Sequence, residues 1–281
     1  MKAVKMEMGG EVFPGAEPGV ELHEMHGLSR SFPPHFHDHY VIGLITGGRR
    51  RVHLRFPCGG EGEAGFSGVA EAGDFIMIHP FEIHACEDIG GSSLDWKSLR
   101  LSRESVLPIL GRTEGSFPPI LRDRKLRRLF ELLCAAVKEG GNRERQRELL
   151  AAVLRGLPRK TNRCAGKRRN IPSPFPDILR WLAERSERPS LDAAARRFGV
   201  DKFVLLRGFS ANFGITPYRC WESMRLERAL DMLRRGHAPV DVAAELGFAD
   251  QSHLTRAFRK VFGMPPGVFR RLKRARGIPG G

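Results

Sequence analysis

Residues 243–266 read Ala243-Ala244-Glu245-Leu246-Gly247-Phe248-Ala249-Asp250-Gln251-Ser252-His253-Leu254-Thr255-Arg256-Ala257-Phe258-Arg259-Lys260-Val261-Phe262-Gly263-Met264-Pro265-Pro266. The small residues Ala243 and Ala244 end a short helix that can pack closely. Gly247 then supplies the positive φ of a tight turn after a helix. Asp250 is a good N-cap for the next helix, and Leu254, Phe258 and Phe262 bury one face of it. Gly263 ends that helix, with Pro265 and Pro266 beyond it. Helix, glycine turn and capped helix make a helix-turn-helix unit.

The same unit occurs upstream at an offset of 49 residues. Asp201, Leu205, Arg207, Phe209, Phe213, Gly214 and Pro217 match Asp250, Leu254, Arg256, Phe258, Phe262, Gly263 and Pro266. Before them, Ala195-x-x-Phe198-Gly199 corresponds to Ala243-x-x-Leu246-Gly247, shifted by one residue. A segment from Thr216 to Gly236 joins the copies. Read as a helix of about 21 residues, it is about 32 Å long. That is close to the ~34 Å between half-sites one DNA turn apart, so two recognition helices can occupy successive major grooves.

Charge follows the same division. The 281 residues contain 47 Lys and Arg against 32 Asp and Glu, a net charge of +15. Residues 1–157 hold 21 of each sign, residues 158–176 hold six basic and no acidic residues, and residues 177–281 hold 20 basic against 11 acidic. A neutral half joined to a basic half points to one part that senses and another that meets a polyanion. The stretch 158–176, with Pro158, Pro172, Pro174 and Pro176, is a basic linker. The domains expected are therefore 1–157 and 177–281.

Composition excludes several classes. No uncharged apolar run approaches the ~18 residues of a membrane span. Met1 to Pro14 has no apolar core of a secretory signal. The five cysteines (Cys58, Cys86, Cys134, Cys164 and Cys220) form no CxxC pair, which disfavours a zinc ribbon or a disulfide framework and fits a reducing cytoplasm.

The first half reads as strands, then helices. Tyr40 to Ile45 is β-rich and ends at Gly47-Gly48; Val52, Leu54 and Phe56 alternate with Arg51, His53 and Arg55. Phe75 to Ile78 and Leu94 to Leu101 are further strands, and residues 57–70 are expected as a loop. Leu126, Leu129, Phe130, Leu133 and Val137 form a helical stripe over 123–138, and Leu149 to Leu157 form a second helix. The first stripe must be covered, by the chain's own barrel or as the seam of a homodimer.

Residues 189–271 resemble the DNA-binding domain of AraC/XylS-type bacterial transcription regulators, most closely over 243–266. Gly208 departs from that pattern, standing where family members often carry a charged residue. The stretches His35-Phe36-His37-Asp38-His39-Tyr40 and Gly73-Asp74-Phe75-Ile76-Met77-Ile78-His79-Pro80-Phe81-Glu82-Ile83-His84 resemble a cupin barrel, the effector domain of many members. The resemblance implies a two-domain α+β protein, a cupin-like β-barrel with a helical pair followed by an all-α double helix-turn-helix. It implies base contacts from Gln251, Ser252, His253 and Arg256, and from Lys202, Phe203, Leu206 and Arg207. The chemistry agrees: Arg reads guanine, Gln reads adenine, Phe203 or Leu206 packs on a thymine methyl, and Thr255 bonds a phosphate.

Metal-binding cupins carry Glu four residues after the second His. Here that position is Val41, and Phe81 replaces the usual glycine of the second motif, so no metal or cofactor is expected. His35, His37, Tyr40, His53, Arg55, His84 and Trp96 are instead expected to line a small-molecule pocket. No P-loop, dinucleotide fingerprint or nucleophile elbow is present in the sequence. The reading is a cytoplasmic, sequence-specific regulator of promoter DNA that takes a small effector and has RNA polymerase and a second copy as further partners. Its rivals are a metal-dependent cupin enzyme with a basic helical appendage and a non-specific nucleic-acid binder.

Overall fold

A computed structural model describes residues 4–5, 10–29, 31–55, 65–110, 117–158 and 173–274. The first part is built from strands β1 (Val4–Lys5), β2 (Gly10–Pro14), β3 (Val20–Leu28), β4 (Phe32–His35), β5 (Tyr40–Gly47), β6 (Arg49–Arg55), β7 (Phe66–Glu71), β8 (Phe75–Ile78), β9 (Ile83–Asp88) and β10 (Leu94–Leu101). Helix α1 (Arg103–Leu110), strand β11 (Ile120–Leu121) and the helical pair α2 (Arg124–Glu139) and α3 (Arg143–Gly156) follow. Two antiparallel sheets face each other, ordered β1-β2-β3-β10-β5-β8-β11 and β4-β9-β6-β7. This is the expected barrel.

Of the strands that the sequence reading did not name, two show why. β3 carries Glu21, His23 and Glu24 in buried positions, which hides its period of two. Lys97 and Lys138 hold the buried Glu24 carboxylate at 3.3 and 2.9 Å. β7 occupies part of the expected 57–70 loop and pairs with β6. It reads as a loop because Ser67, Gly68 and Ala70 carry little or no apolar side chain, although Ala70 is fully buried.

The helical pair covers the outer face of the seven-stranded sheet, the side opposite the barrel interior. Asp123 caps α2 by accepting from the backbone of Lys125 and Leu126. Leu126, Phe130, Leu133 and Val137 pack with Phe75, Leu99 and Leu101 of the barrel, and the Phe75 and Phe130 rings meet edge-on at 5.3 Å. The stripe expected as a dimer seam is therefore covered by the chain's own sheet. Leu133 is 1% exposed.

Helices α4 (Phe175–Ala183), α5 (Leu191–Phe198), α6 (Lys202–Phe213), α7 (Pro217–Arg234), α8 (Pro239–Glu245), α9 (Gln251–Phe262) and α10 (Pro266–Arg274) form the second part. The repeat is realised in the backbone: α6 and α9 have equal length at the offset of 49 residues. Asp201 and Asp250 cap them, and the turn glycines Gly199 and Gly247 have φ of 63° and 70°. The departure at Gly208 also has a cause. A Cβ there would stand 2.2 Å from the Phe175 ring of α4, which occupies the space a side chain needs. The residues read as a linker lie mostly outside the described ones.

The connector differs from expectation. α7 has 18 residues, a rise of about 27 Å, and is buried on several sides rather than one. Trp221 Nε1 donates to Arg185 O at 3.0 Å. The guanidinium of Arg225, 4% exposed, lies over the rings of Trp221 at 4.2 Å and Phe248 at 3.6 Å, and Nη1 donates to Gly247 O at 3.3 Å. One side chain thus ties the connector to the turn of the second unit. Arg225→Ala removes both stacks and leaves Gly247 O unpaired. We expect it to lower urea-unfolding stability by about 2 kcal/mol or more. Arg225→Lys should recover little, because an ammonium lacks the planar face. A loss below about 0.5 kcal/mol for both variants would count against this role.

Candidate functional site

The face expected to meet DNA is the one that α6 and α9 leave uncovered. On α9, Leu254, Phe258 and Phe262 are buried, while Gln251, Ser252 and Arg256 are exposed. On α6, Leu205, Phe209 and Phe213 are buried, while Lys202, Phe203, Val204 and Arg207 are exposed. Phe203 is 59% exposed, a large apolar surface held against water at the start of a recognition helix. Lys202 reaches Asp192 at 3.3 Å, an exposed pair that constrains it little.

Three expected contacts are arranged differently. Leu206 is half-buried in a hollow beside Leu191 and Ala194 of its own unit. His253 is half-buried, edge-on to Phe248 at 5.3 Å, and its Nδ1 accepts the Ala249 N–H at 3.5 Å. It braces the turn as well as bordering the face. Thr255 is half-buried beside them. Val204 belongs to the exposed face and was missed, because β-branched apolar residues read as core in a helix.

The barrel cavity brings together four of the seven residues expected there. His35, His37, His84 and Trp96 line it, with Arg100, Phe32 and Ile78. The rings of His35 and His84 lie 4.1 Å apart and those of His37 and His84 4.7 Å apart. Each histidine is anchored in the same way. Nδ1 donates to a backbone carbonyl, of Pro33 at 2.7 Å, of His39 at 2.8 Å and of Glu82 at 2.9 Å. A carbonyl only accepts, so Nδ1 carries the proton and Nε2 keeps its lone pair. Burial is the main cause that pushes His35 down to about 4 and His37 and His84 well below the ordinary range. At neutral pH the cavity presents uncharged acceptors beside the guanidiniums of Arg100 and of Arg50, the latter held by Asp88 and the Ser92 carbonyl.

The other three stand elsewhere. Tyr40 packs toward the helical pair, its ring 5.8 Å from His79. His53 lies 3.3 Å from Glu87 on an exposed flank. Arg55 leaves the barrel and donates to Ala211 O of α6 at 2.8 Å, joining the two parts. Strand alternation explains the misplacement: His53 and Arg55 share one face of β6 and Val52 and Leu54 the other, which is the buried one. The same rule finds the residue that was missed. Trp96, Ser98 and Arg100 alternate along β10, so Arg100 shares the cavity face with Trp96.

The cavity is small and has a roof from the second part. Trp96 lies across Gly43, where a Cβ would be 2.1 Å from its ring, and the free volume is about 70 Å³. Val261 and Phe262, at the end of α9, complete the wall, and Arg100 stands 5.7 Å from the Phe262 ring centre.

A barrel with an internal cavity, followed by two recognition helices on one connector, defines a ligand-responsive DNA-binding regulator. An AraC-like ligand binding domain family matches residues 17–157, and a helix-turn-helix domain family matches residues 194–272. The chain belongs to the AraC family of transcription regulators. It is 32% identical over 275 residues to the HTH-type transcriptional activator RhaS of Escherichia coli O81 (strain ED1a), covering 91% of this chain and 93% of that one. It is 29% identical over 247 residues to the uncharacterized HTH-type transcriptional regulator YbfI of Bacillus subtilis, covering 84% and 86%. Its fold is similar to that of apo ToxT from Vibrio cholerae, with a TM-score of 0.52 at 11% identity over 92% of this chain and 99% of that one. Among the described residues, no helix is long and apolar enough to cross a membrane.

The buried histidines set a pH dependence. Burial also lowers His23 to about 4 and His39 well below its ordinary value. A histidine with a lowered folded pKa adds stability that is fully present above its unfolded value of ~6.5 and is lost as pH falls toward the folded value. For His35 alone the change amounts to about 3 kcal/mol. The melting temperature should therefore fall steeply between about pH 6.5 and pH 4. His35→Gln should flatten part of that slope. A profile flat across this window would contradict the neutral, buried assignment.

Proposed function

We propose that this regulator reads promoter DNA sequence-specifically through α6 and α9 and is controlled by a small molecule held in its N-terminal barrel. The observation that carries the DNA reading is the repeated capped helix, each copy placing a guanidinium, Arg207 or Arg256, on its uncovered face. Gln251, Ser252, Lys202 and Phe203 stand beside them, and His253, Thr255 and Leu206 border the contact. The domain assignment is 1–157 for sensing and 177–281 for DNA, joined by the basic stretch 158–176.

The barrel is the proposed effector site, through His35, His37, His84 and Trp96 with Arg100. Its volume of about 70 Å³ is well below the ~300–1,000 Å³ of drug-sized ligands, so it suits a compact effector that donates hydrogen bonds to imidazole nitrogens. This reading is of a binding protein in the cytoplasm and not of an enzyme. Val41 forms cavity wall where metal-binding cupins place Glu. Contact with RNA polymerase belongs to the same reading. Pairing with a second copy through α2 would use Leu132, 42% exposed, rather than the covered Leu133.

The test of the DNA reading is quantitative. On a site selected from random duplexes, Arg256→Ala should cost about 1–3 kcal/mol and relax base choice at one position. Arg207→Ala should do the same in the other half-site. Unchanged affinity and unchanged base preference in both variants would defeat the proposal. For the sensing part, a compact metabolite should raise the melting temperature and shift Trp96 emission, with about 2.7 kcal/mol of stabilisation at a hundredfold excess over Kd. His84→Ala should weaken both responses.

A further inference from the structure

A second and larger space lies between the two parts of the chain. It has a volume of about 540 Å³ and is bounded by the barrel, α4, the end of α6 and α7. Its walls are mainly apolar: Phe36 and Phe81 from the barrel, Phe213 from α6 and Met224 from α7. At one side stand two carboxylates, Asp38 and Glu227, one from each part. An oxygen or nitrogen of each of Asp38, His39 and Glu227 lies within 4.8 Å of the others. His39 Nδ1 is 3.2 Å from Asp38 Oδ1. Glu227 Oε1 is buried and has no hydrogen-bond partner.

The backbone marks the same place. Phe81 adopts φ of 63°, alone among the described non-glycine residues in having positive φ. Its N–H donates to His37 O at 2.7 Å, which holds the turn. Where the cupin pattern has glycine, this chain keeps the left-handed turn yet carries an aromatic ring, 48% exposed and 6.3 Å from Phe36. Strain kept in order to present a side chain is a feature of binding sites.

We propose that this cleft binds a hydrophobic organic cation, an alkyl- or arylalkylammonium, with its nitrogen at Asp38 and Glu227 and its body against Phe36, Phe81, Phe213 and Met224. The site is separate from the barrel cavity and does not depend on what the barrel holds. The carboxylates favour a cation. Glu21, Asp38 and Glu227 are set against Arg100 and Arg234, while His23 and His39 are held neutral by burial. Arg228 and Asp38, whose side chain is 49% exposed, stand at the rim, where water screens both. In the empty cleft a proton fills the role: burial, reinforced by Asp38, raises the Glu227 carboxyl well above its ordinary range. The aromatic walls favour a cation over a neutral molecule of equal shape. An occupant bridges barrel, first unit and connector, and so couples amine concentration to the placement of α6.

The test titrates the full chain with phenethylammonium and hexylammonium by calorimetry, with 2-phenylethanol and hexanol as neutral controls. Saturable one-to-one binding of an ammonium is expected, about tenfold or more tighter than its alcohol. Affinity should rise as pH is raised, because the bound nitrogen displaces the proton on Glu227. Glu227→Gln and Asp38→Asn should each weaken ammonium binding about tenfold or more while leaving alcohol binding and the circular dichroism spectrum unchanged. Glu227→Gln keeps the shape of the protonated carboxyl, so loss of folding is not expected. Absence of saturable binding by either ammonium at millimolar concentration overturns the proposal. So does equal binding of the alcohols, or wild-type affinity in both variants. Stabilisation by zinc or magnesium alone, lost in Glu227→Gln, would make the cluster a metal site instead.

Discussion

The guanidinium of Arg225, held between the rings of Trp221 and Phe248, fixes the arrangement on which DNA reading depends. α7 carries it at mid-helix. Cys220 and Trp221 pack into the first unit, and Leu226, Ala229, Leu230 and Leu233 into the second. Glu227 meets the barrel. A connector gripped on three sides cannot flex between the two recognition helices, so their separation is a property of the fold. The proposed reading of two half-sites at fixed spacing on one DNA face rests on that rigidity.

The same geometry puts sensing next to reading. α9 exposes Gln251, Ser252 and Arg256 near its start, while Val261 and Phe262 at its end wall the barrel cavity. Arg256 and Phe262 are six residues apart, about 9 Å along the axis. Arg55 ties the barrel to α6 in parallel, through Ala211 O. Each recognition helix therefore touches the barrel at the end away from its exposed N-terminal residues. In the proposed reading, a change in barrel filling acts on a rigid rod and needs no long relay.

Much of this was legible in the residues. Capping aspartates, turn glycines and the apolar positions of α6 and α9 recur at fixed offset, and local chemistry alone places them. The α2 stripe was equally clear as a helix, but periodicity cannot say what covers a face; only Phe75 and its neighbours on the barrel decide that. α7 read only as a connector of a given length, because a helix buried on several sides loses its amphipathic pattern. β3 was hidden by buried Glu21, His23 and Glu24, whose partners come from distant segments. In the cavity, His35, His37, His84 and Trp96 were found by residue type, whereas Arg55 and His53 were misplaced because the inward face of β6 is the other one. Phe81 was visible only as a missing glycine; its ring and its strain appear once the turn is built.

The central claim is that one chain places two recognition helices in successive major grooves. Methylation interference on a selected operator, with the full chain bound, tests it most directly. Two clusters of interfering guanines about 10 base pairs apart on one face of the duplex are expected, one lost in Arg207→Ala and the other in Arg256→Ala. A single cluster, or two that respond together to either substitution, would contradict the account.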